Sequence, residues 1–259
     1  MNTPDRLRMD FLGCPLDLVP PQELIAAARR AVEGGTRLRL EGLNVAKLVD
    51  ARGDSTLMGA LEDAERVHID GAGISLGLKW LGVQPPVRRA GIDLLGDLCA
   101  MAVGSGASVY LLGARATVVE QIAQYLLARY PGLNIAGWRD GYFSPAQEPT
   151  VIEAIRASGA DLLFIGMSSP RKEVLLQQHW PHLGVKVAMG VGGSFDVLSG
   201  NLPRAPRWMQ KAGMEWLFRM ALEPRRLLWR YVRTNTAFAF LLIVARLKMK
   251  WRMGIRDNA

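Results

Sequence analysis

The sequence predicts an α/β protein: a Rossmann-like, mostly parallel sheet with helices on both faces, followed by a C-terminal helical, basic appendage. Two observations carry the core. Up to about residue 200, short β-rich runs alternate with amphipathic helical runs, a pattern that calls for parallel pairing through crossovers, with both sheet faces covered. A third observation sets the boundary. After Pro203 no further strand pattern occurs, and the texture becomes helical, basic and aromatic. Residues 1–202 are therefore expected to form the core and 203–259 the appendage.

In chain order, an amphipathic pattern predicts a helix over 21–33, and RLRLEGLN (37–44) a first strand. A helix over 45–64 follows, broken at Gly53, and RVHID (66–70) is the second strand. The spacing then predicts a helix over 92–104, a strand in ASVYLLG (107–113) and a helix over 115–129. LNIAGW (133–138), a helix over 148–158, ADLLFIGM (160–167), a helix over 170–180 and VKVAMGVGG (185–193) complete the core. These runs end in Asn44, Asp70, Gly113, Gly141, Gly166 and Gly192. Ligands of open parallel sheets bind beyond the carboxyl ends of the strands, so these positions map the expected site.

Composition narrows the function classes. The chain has 259 residues and is 49 % hydrophobic, enough for one large or two small domains and incompatible with global disorder. Its net charge is +8, and the excess is local: residues 204–259 hold 13 Lys and Arg against 3 Asp and Glu. That asymmetry points to an anionic partner at the appendage. Cys14 and Cys99 form no C-x-x-C pair, and MNTPDRLRMD has no secretory h-region, so a reducing, cytosolic setting is expected. The uncharged run Thr234–Ala245 has 12 residues, short of the roughly 20 that span a bilayer.

The motifs sharpen this. HIDGAGISLG (68–77) sets Asp70 at a strand end before Gly71, Gly73 and Gly77, where backbone amides can approach a phosphate or a sugar. The spacing is G-x-G-x-x-x-G, which departs from the dinucleotide fingerprint, and an Asp that merely caps the next helix remains the plain alternative. VGGSFDVLSG (191–200) repeats the logic with Gly192, Gly193 and Asp196. GWRDGYF (137–143) sets Tyr142 and Phe143 after a turn, suited to stacking on a base or to core packing. In GMSSPRKE (166–173), Arg171 and Lys172 either reach an anion or stay solvated. The three histidines lack clustered partners, and no D-x-D pair or Walker A loop occurs. No metal is expected, and arginines would neutralise a diphosphate. Arg219, Arg226, Arg230 and Arg233 are spaced by 7, 4 and 3, one helix face if the helix runs on through Pro224. Trp216, Phe218, Trp229 and Tyr231 beside them suit a bilayer interface or a closing pocket. No nucleic-acid recognition motif accompanies the charge, although a non-catalytic nucleotide- or nucleic-acid-binding α/β protein is the competing class.

As a set, these motifs resemble the WecG/TagA/CpsF family, glycosyltransferase family 26. The resemblance is carried by LN (43–44), DGAG (70–73), RRAGIDL (88–94), GYF (141–143), GMSSPRKE (166–173), GVGGSFDVLSG (190–200), RAPRWMQ (204–210) and EWLFRMALEPRR (215–226). It implies an inverting, metal-independent transferase that moves a sugar from a UDP-sugar onto a sugar carried on polyprenyl diphosphate. It implies peripheral attachment at the cytoplasmic face of the bacterial inner membrane through the appendage. The resemblance places the general base on Asp70, substrate contacts on Asn44, Arg88, Lys172, Arg219, Arg226 and Arg230, and nucleotide contacts on Tyr142, Gly192, Gly193 and Asp196. Two positions depart from the family pattern: Gly42 stands where Thr is usual, and Lys172 where a neutral amide is usual. They favour glucosyl transfer in xanthan-type exopolysaccharide assembly over N-acetylmannosaminyl or N-acetylmannosaminuronosyl transfer. No cofactor and no nucleic acid are expected, and an open sheet edge would permit a homo-oligomer.

Overall fold

The structure, a computed structural model, describes residues 8–256, with side chains described through Met249. Residues 1–7 and 257–259, the outer ends of the expected core and appendage, lie outside the described residues. An antiparallel hairpin comes first, β1 (Arg8–Phe11) and β2 (Cys14–Asp17). Its turn uses Leu12 and Gly13 at positive φ. The sequence pattern did not reveal this hairpin, because four-residue strands show too little alternation to stand out.

The expected alternation follows as α1 (Pro21–Val32), β3 (Leu38–Leu43), α2 (Val45–Ala51), α3 (Ser55–Glu62), β4 (Arg66–Ile69), a helix not expected from the sequence, α4 (Ala72–Trp80), then α5 (Gly91–Ser105), β5 (Ser108–Gly113), α6 (Ala116–Arg129), β6 (Asn134–Arg139), α7 (Glu148–Ala157), β7 (Leu162–Gly166), α8 (Arg171–His179) and β8 (Val187–Gly190). The break expected at Gly53 is present, and Asp54 caps α3 by accepting from Thr56 and Leu57 N–H. Three short helices lead out: α9 (Ser194–Leu198), α10 (Arg207–Lys211) and α11 (Glu215–Leu222); the long α12 (Pro224–Arg256) ends the described chain.

Strands β3 to β8 form one sheet in the order β4-β3-β8-β7-β5-β6, and every neighbouring pair is parallel. All six carboxyl ends therefore point the same way. The period of two sorts the side chains. Leu40, Leu111, Phe164 and Met189 pack with Leu94 and Leu98 of α5 and Ile122 of α6. Leu112, Leu163, Ile165 and Ala188 pack on the other face with Val151 of α7 and Leu175 of α8. Each large apolar side chain so buried contributes roughly 1.5–3 kcal/mol.

A third core crosses the boundary expected near residue 202. Phe11 and Leu16 of the hairpin, Leu48, Leu57, Ile69 and Leu78 gather around Phe238 of α12. A Cβ on Gly77 would lie 2.8 Å from Phe238 and 3.2 Å from Leu242, so the bare glycine lets α12 seat against α4. Helix α12 is apolar on two sides. Leu227 and Phe238 are buried, while Trp229, Val232, Phe240, Ile243 and Leu247 are exposed. No described helix is long and apolar enough to cross a membrane.

The hairpin also covers the β4 edge. Asp17 is buried, accepts from Val67 N–H at 2.6 Å and pairs with Arg8 at 2.8 Å. Asp17→Ala would leave the Val67 N–H without its acceptor and Arg8 without its carboxylate, holding only the carbonyls of Ala64 and Glu62. It should destabilise the protein by about 3 kcal/mol, read as a lower urea midpoint with an unchanged m-value.

Candidate active site

The loops at the carboxyl ends of the sheet and the helices after residue 202 enclose a cleft of about 1600 Å³. Asp70, Asn44, Arg88, Lys172, Tyr142, Gly192, Gly193, Asp196, Arg219, Arg226 and Arg230 all line it. Residues separated by up to 186 positions in sequence thus share one wall system because parallel strands end on one side.

Asp70 follows β4 directly. Its Oδ1 accepts from Gly91 N–H at 2.8 Å, the first residue of α5, and its backbone carbonyl accepts from Arg88 Nη1 at 2.9 Å. Among the described residues, Oδ2 has no hydrogen bond, so one oxygen is fixed and the other is available to a ligand. Gly42 pairs in register with His68. A Cβ on Gly42 would fall 2.9 Å from Asp70 Cβ and 3.4 Å from His68 Cε1. The carboxylate therefore rests against a glycine whose missing side chain makes its room. His68 is only 2 % exposed, and neither ring nitrogen has a hydrogen-bond partner among the described residues. Burial outweighs the attraction of Asp70 and pushes its pKa down to about 4.

Asn44 caps α2, its Oδ1 accepting from Lys47 N–H at 3.0 Å. Beneath it lies a buried layer of four charges. Lys47 Nζ bonds Glu41 Oε2 and Glu173 Oε1, each at 2.8 Å, and Lys172 Nζ bonds the same Glu173 oxygen. Burial works against the charge on Lys47, but Glu41 and Glu173 outweigh it and raise its pKa. Burial raises Glu173, yet Lys47 and Lys172 pull it to about 2. Lys172 is held lower than an ordinary lysine by burial and by Lys47. Lys172 thus lines the cleft with its ammonium buried and engaged with Glu173.

The far wall is built by β5 to β8. Tyr142 is 74 % exposed at the rim, with its N–H on Asp140 Oδ1 at 2.8 Å. Arg171 holds this loop, donating to the carbonyls of Gly141 (3.0 Å) and Phe143 (2.8 Å) with its guanidinium over the Phe143 ring. Arg171 is therefore a loop brace. Gly192 has φ +51, and Asp196 sits on α9. Arg219 crosses from α11 to lie over Gly193, where a Cβ would collide with its guanidinium. Its Nε is buried without a hydrogen-bond partner among the described residues.

The appendage differs from the expected single helix. Glu223, preceding Pro224, leaves the helical region (φ −129, ψ 56), so α11 and α12 are separate; proline disfavours helical geometry in the residue before it. The four arginines accordingly part company. Arg219 meets Gly193, and Arg226 pairs with Glu223 at 2.7 Å. Arg230 Nη2 reaches Asp50 of α2 at 3.0 Å, and Arg233 pairs with the other oxygen of that carboxylate. Arg88 extends to the appendage as well, with Nη2 on Glu215 at 2.7 Å. Arg115, Trp80 and Glu215 also line the cleft and were not anticipated. Arg115 alone carried a signal, standing just past a strand end before a helix.

A parallel sheet with its ligand cleft at the carboxyl edge, a half-free carboxylate and several guanidiniums defines an α/β protein built for phosphorylated ligands. The model of the glycosyl transferase WecG/TagA/CpsF family matches residues 9–252, and the chain belongs to that family. It is thus a member of a glycosyltransferase family, whose reaction transfers a sugar from a nucleotide-sugar donor to a sugar acceptor.

Gly42→Ala should push Asp70 aside, lowering kcat at least tenfold with the melting temperature within a few degrees of wild type. His68 gives a second test. Between its ordinary value near 6.5 and about 4, the unfolded chain binds a proton that the folded chain refuses. Stability should therefore fall as pH drops through that window, by up to about 1.4 kcal/mol per pH unit. Urea midpoints from pH 7 to 4.5 should fall more steeply in wild type than in His68→Phe.

Proposed function

We propose that this protein is an inverting, metal-independent transferase that moves glucose from UDP-glucose onto a sugar carried on polyprenyl diphosphate. The observation that carries the reading is one cleft lined both by Asp70, whose Oδ2 has no hydrogen bond among the described residues, and by the Arg219 guanidinium over Gly193. The acceptor hydroxyl gives its proton to Asp70 Oδ2 as its oxygen bonds to the anomeric carbon. The bond from that carbon to the β-phosphate oxygen breaks on the opposite face, and UDP leaves with the electron pair. Configuration inverts. A carboxylate is a modest base, so fixed orientation carries much of its effect.

Charge growing on the β-phosphate is met by Arg219 and Arg226, in the role that a divalent cation takes elsewhere. Tyr142 offers an exposed ring for the uracil, and Gly192, Gly193 and Asp196 frame the nucleotide. Asn44 and Arg88 border the sugars. Lys172 and Arg230, expected to touch substrate, act one step removed: Lys172 sets the charge of the floor, and Arg230 secures α12 through Asp50. The space beside Gly42 is filled by Asp70 and His68, so that departure shapes the base. The choice of glucose rests on the departures from the family pattern at 42 and 172.

Exposed Trp229, Val232, Phe240, Ile243 and Leu247 stand on a helix that also carries Arg225, Arg233, Arg246 and Lys248. Such a surface favours the anionic, cytoplasmic face of a membrane, at about 1 kcal/mol per cation near the surface. Asp70→Asn should retain UDP binding while losing at least a thousandfold in UDP release with a glucosyl lipid diphosphate acceptor. Wild-type turnover should survive EDTA in the same assay; wild-type-like transfer by the variant would remove Asp70 from the mechanism.

A further inference from the structure

We propose that the end of the cleft between α4 and α12 is a lane for the first isoprenoid units of a polyprenyl diphosphate, with Leu76 and Trp80 as its outer wall. The proposal rests on the lipid-linked acceptor read above. The cleft changes character along its length. Around the glycine turn its walls are cationic, with Arg219 over Gly193 and Arg226 nearby. Between α4 and the appendage Leu76, Trp80, Trp216, Tyr231, Phe238 and Leu242 line it, with Arg230 and Asn235 as the polar residues of α12 among them.

One ligand class satisfies both ends: an anionic head joined to a hydrocarbon tail. A nucleotide-sugar is polar throughout and leaves the apolar end uncovered. Leu76 and Trp80 are four residues apart, so they share one face of α4. They are 65 % and 58 % exposed, although a monomer gains nothing by holding a Leu and a Trp side by side in water. The facing wall is fixed. Phe238 is buried where Gly77 admits it, and Trp216 meets Tyr231 edge-on at 5.8 Å. The lane therefore has a firm inner side and an open outer side, as a flexible chain entering from a membrane surface requires.

The test uses the full-length protein and two probes, farnesyl diphosphate and inorganic diphosphate. Wild type should bind farnesyl diphosphate at least tenfold more tightly than inorganic diphosphate. Trp80→Ser and Leu76→Ser should each remove most of that preference, with inorganic diphosphate binding within twofold of wild type. Two variants at exposed positions, each checked by circular dichroism, guard against a folding artefact. If both variants keep the full preference, the lane is wrong. It is equally wrong if they change only vesicle adhesion or self-association, because the face is then a bilayer or protein contact. Turnover separates this from failure of the transferase reading. Transfer to lipid-linked and short-chain acceptors with equal efficiency overturns the lane alone, whereas no transfer from any UDP-sugar to a lipid-linked acceptor overturns the transferase reading and the lane with it.

Discussion

Arg88 joins the two parts of the molecule that the proposed chemistry must bring together. One arm of its guanidinium holds the carbonyl of Asp70 at the end of β4, and the other holds Glu215 at the start of α11. Glu215 also lies 3.9 Å from Arg204, which pairs with Asp93 of α5, the helix whose first N–H fixes the Asp70 carboxylate. The circuit closes on itself. A rigid fork can serve two acceptors in set directions, which a lysine ammonium on a flexible stem does less well. Because the pair is only about a fifth exposed, removing either partner would strand a poorly solvated charge. The placement of the carboxylate and the seating of the appendage are thus one structural problem.

Beneath that circuit, the layer of Glu41, Lys47, Glu173 and Lys172 joins β3, α2 and α8. Two carboxylates and two ammoniums cancel, which is how four charges can be buried at all. Their mutual attraction, against the burial that opposes each charge, holds Glu173 ionised and keeps Lys172 beside it. The consequence for the cleft is a floor whose four charges compensate one another. His68, neutral and without a hydrogen-bond partner among the described residues, adds shape without adding charge.

How far this was legible in the sequence depends on the range of the interaction. The central parallel strands announced themselves because burial on both faces leaves runs such as ADLLFIGM, and the carboxyl-edge rule then located Asn44, Asp70 and Gly192 at the cleft. The hairpin β1–β2 was too short to show a period. Gly73 and Gly77 read as turn residues, yet they belong to α4, where Gly77 is needed for the approach of Phe238. Lys172 looked like a surface cation, because the Glu41–Lys47 pair that buries it with its neighbour Glu173 is assembled only by the packing of α8 against α2 and β3. The Arg230 and Arg233 pairing with Asp50 spans about 180 residues, a distance at which local periodicity carries no information.

The break at Pro224 shows why the appendage cannot be reasoned about as a ruler of arginines. On an unbroken helix, Arg219 and Arg226 would be seven residues apart and so nearly aligned. With the chain turned at Glu223, α11 lies across the glycine turn and delivers Arg219 to Gly193, while α12 runs off along α2 and α4. Glu223 stands between the two arginines, 2.7 Å from Arg226 and 3.9 Å from Arg219. In the proposed reaction, a diphosphate entering there competes with Glu223 for both guanidiniums. The hinge therefore sets Glu223 against both cations and gives a bound diphosphate a ready pair of them. A straight helix would offer the same charges along a line, without the curvature needed to close on a phosphate from two directions.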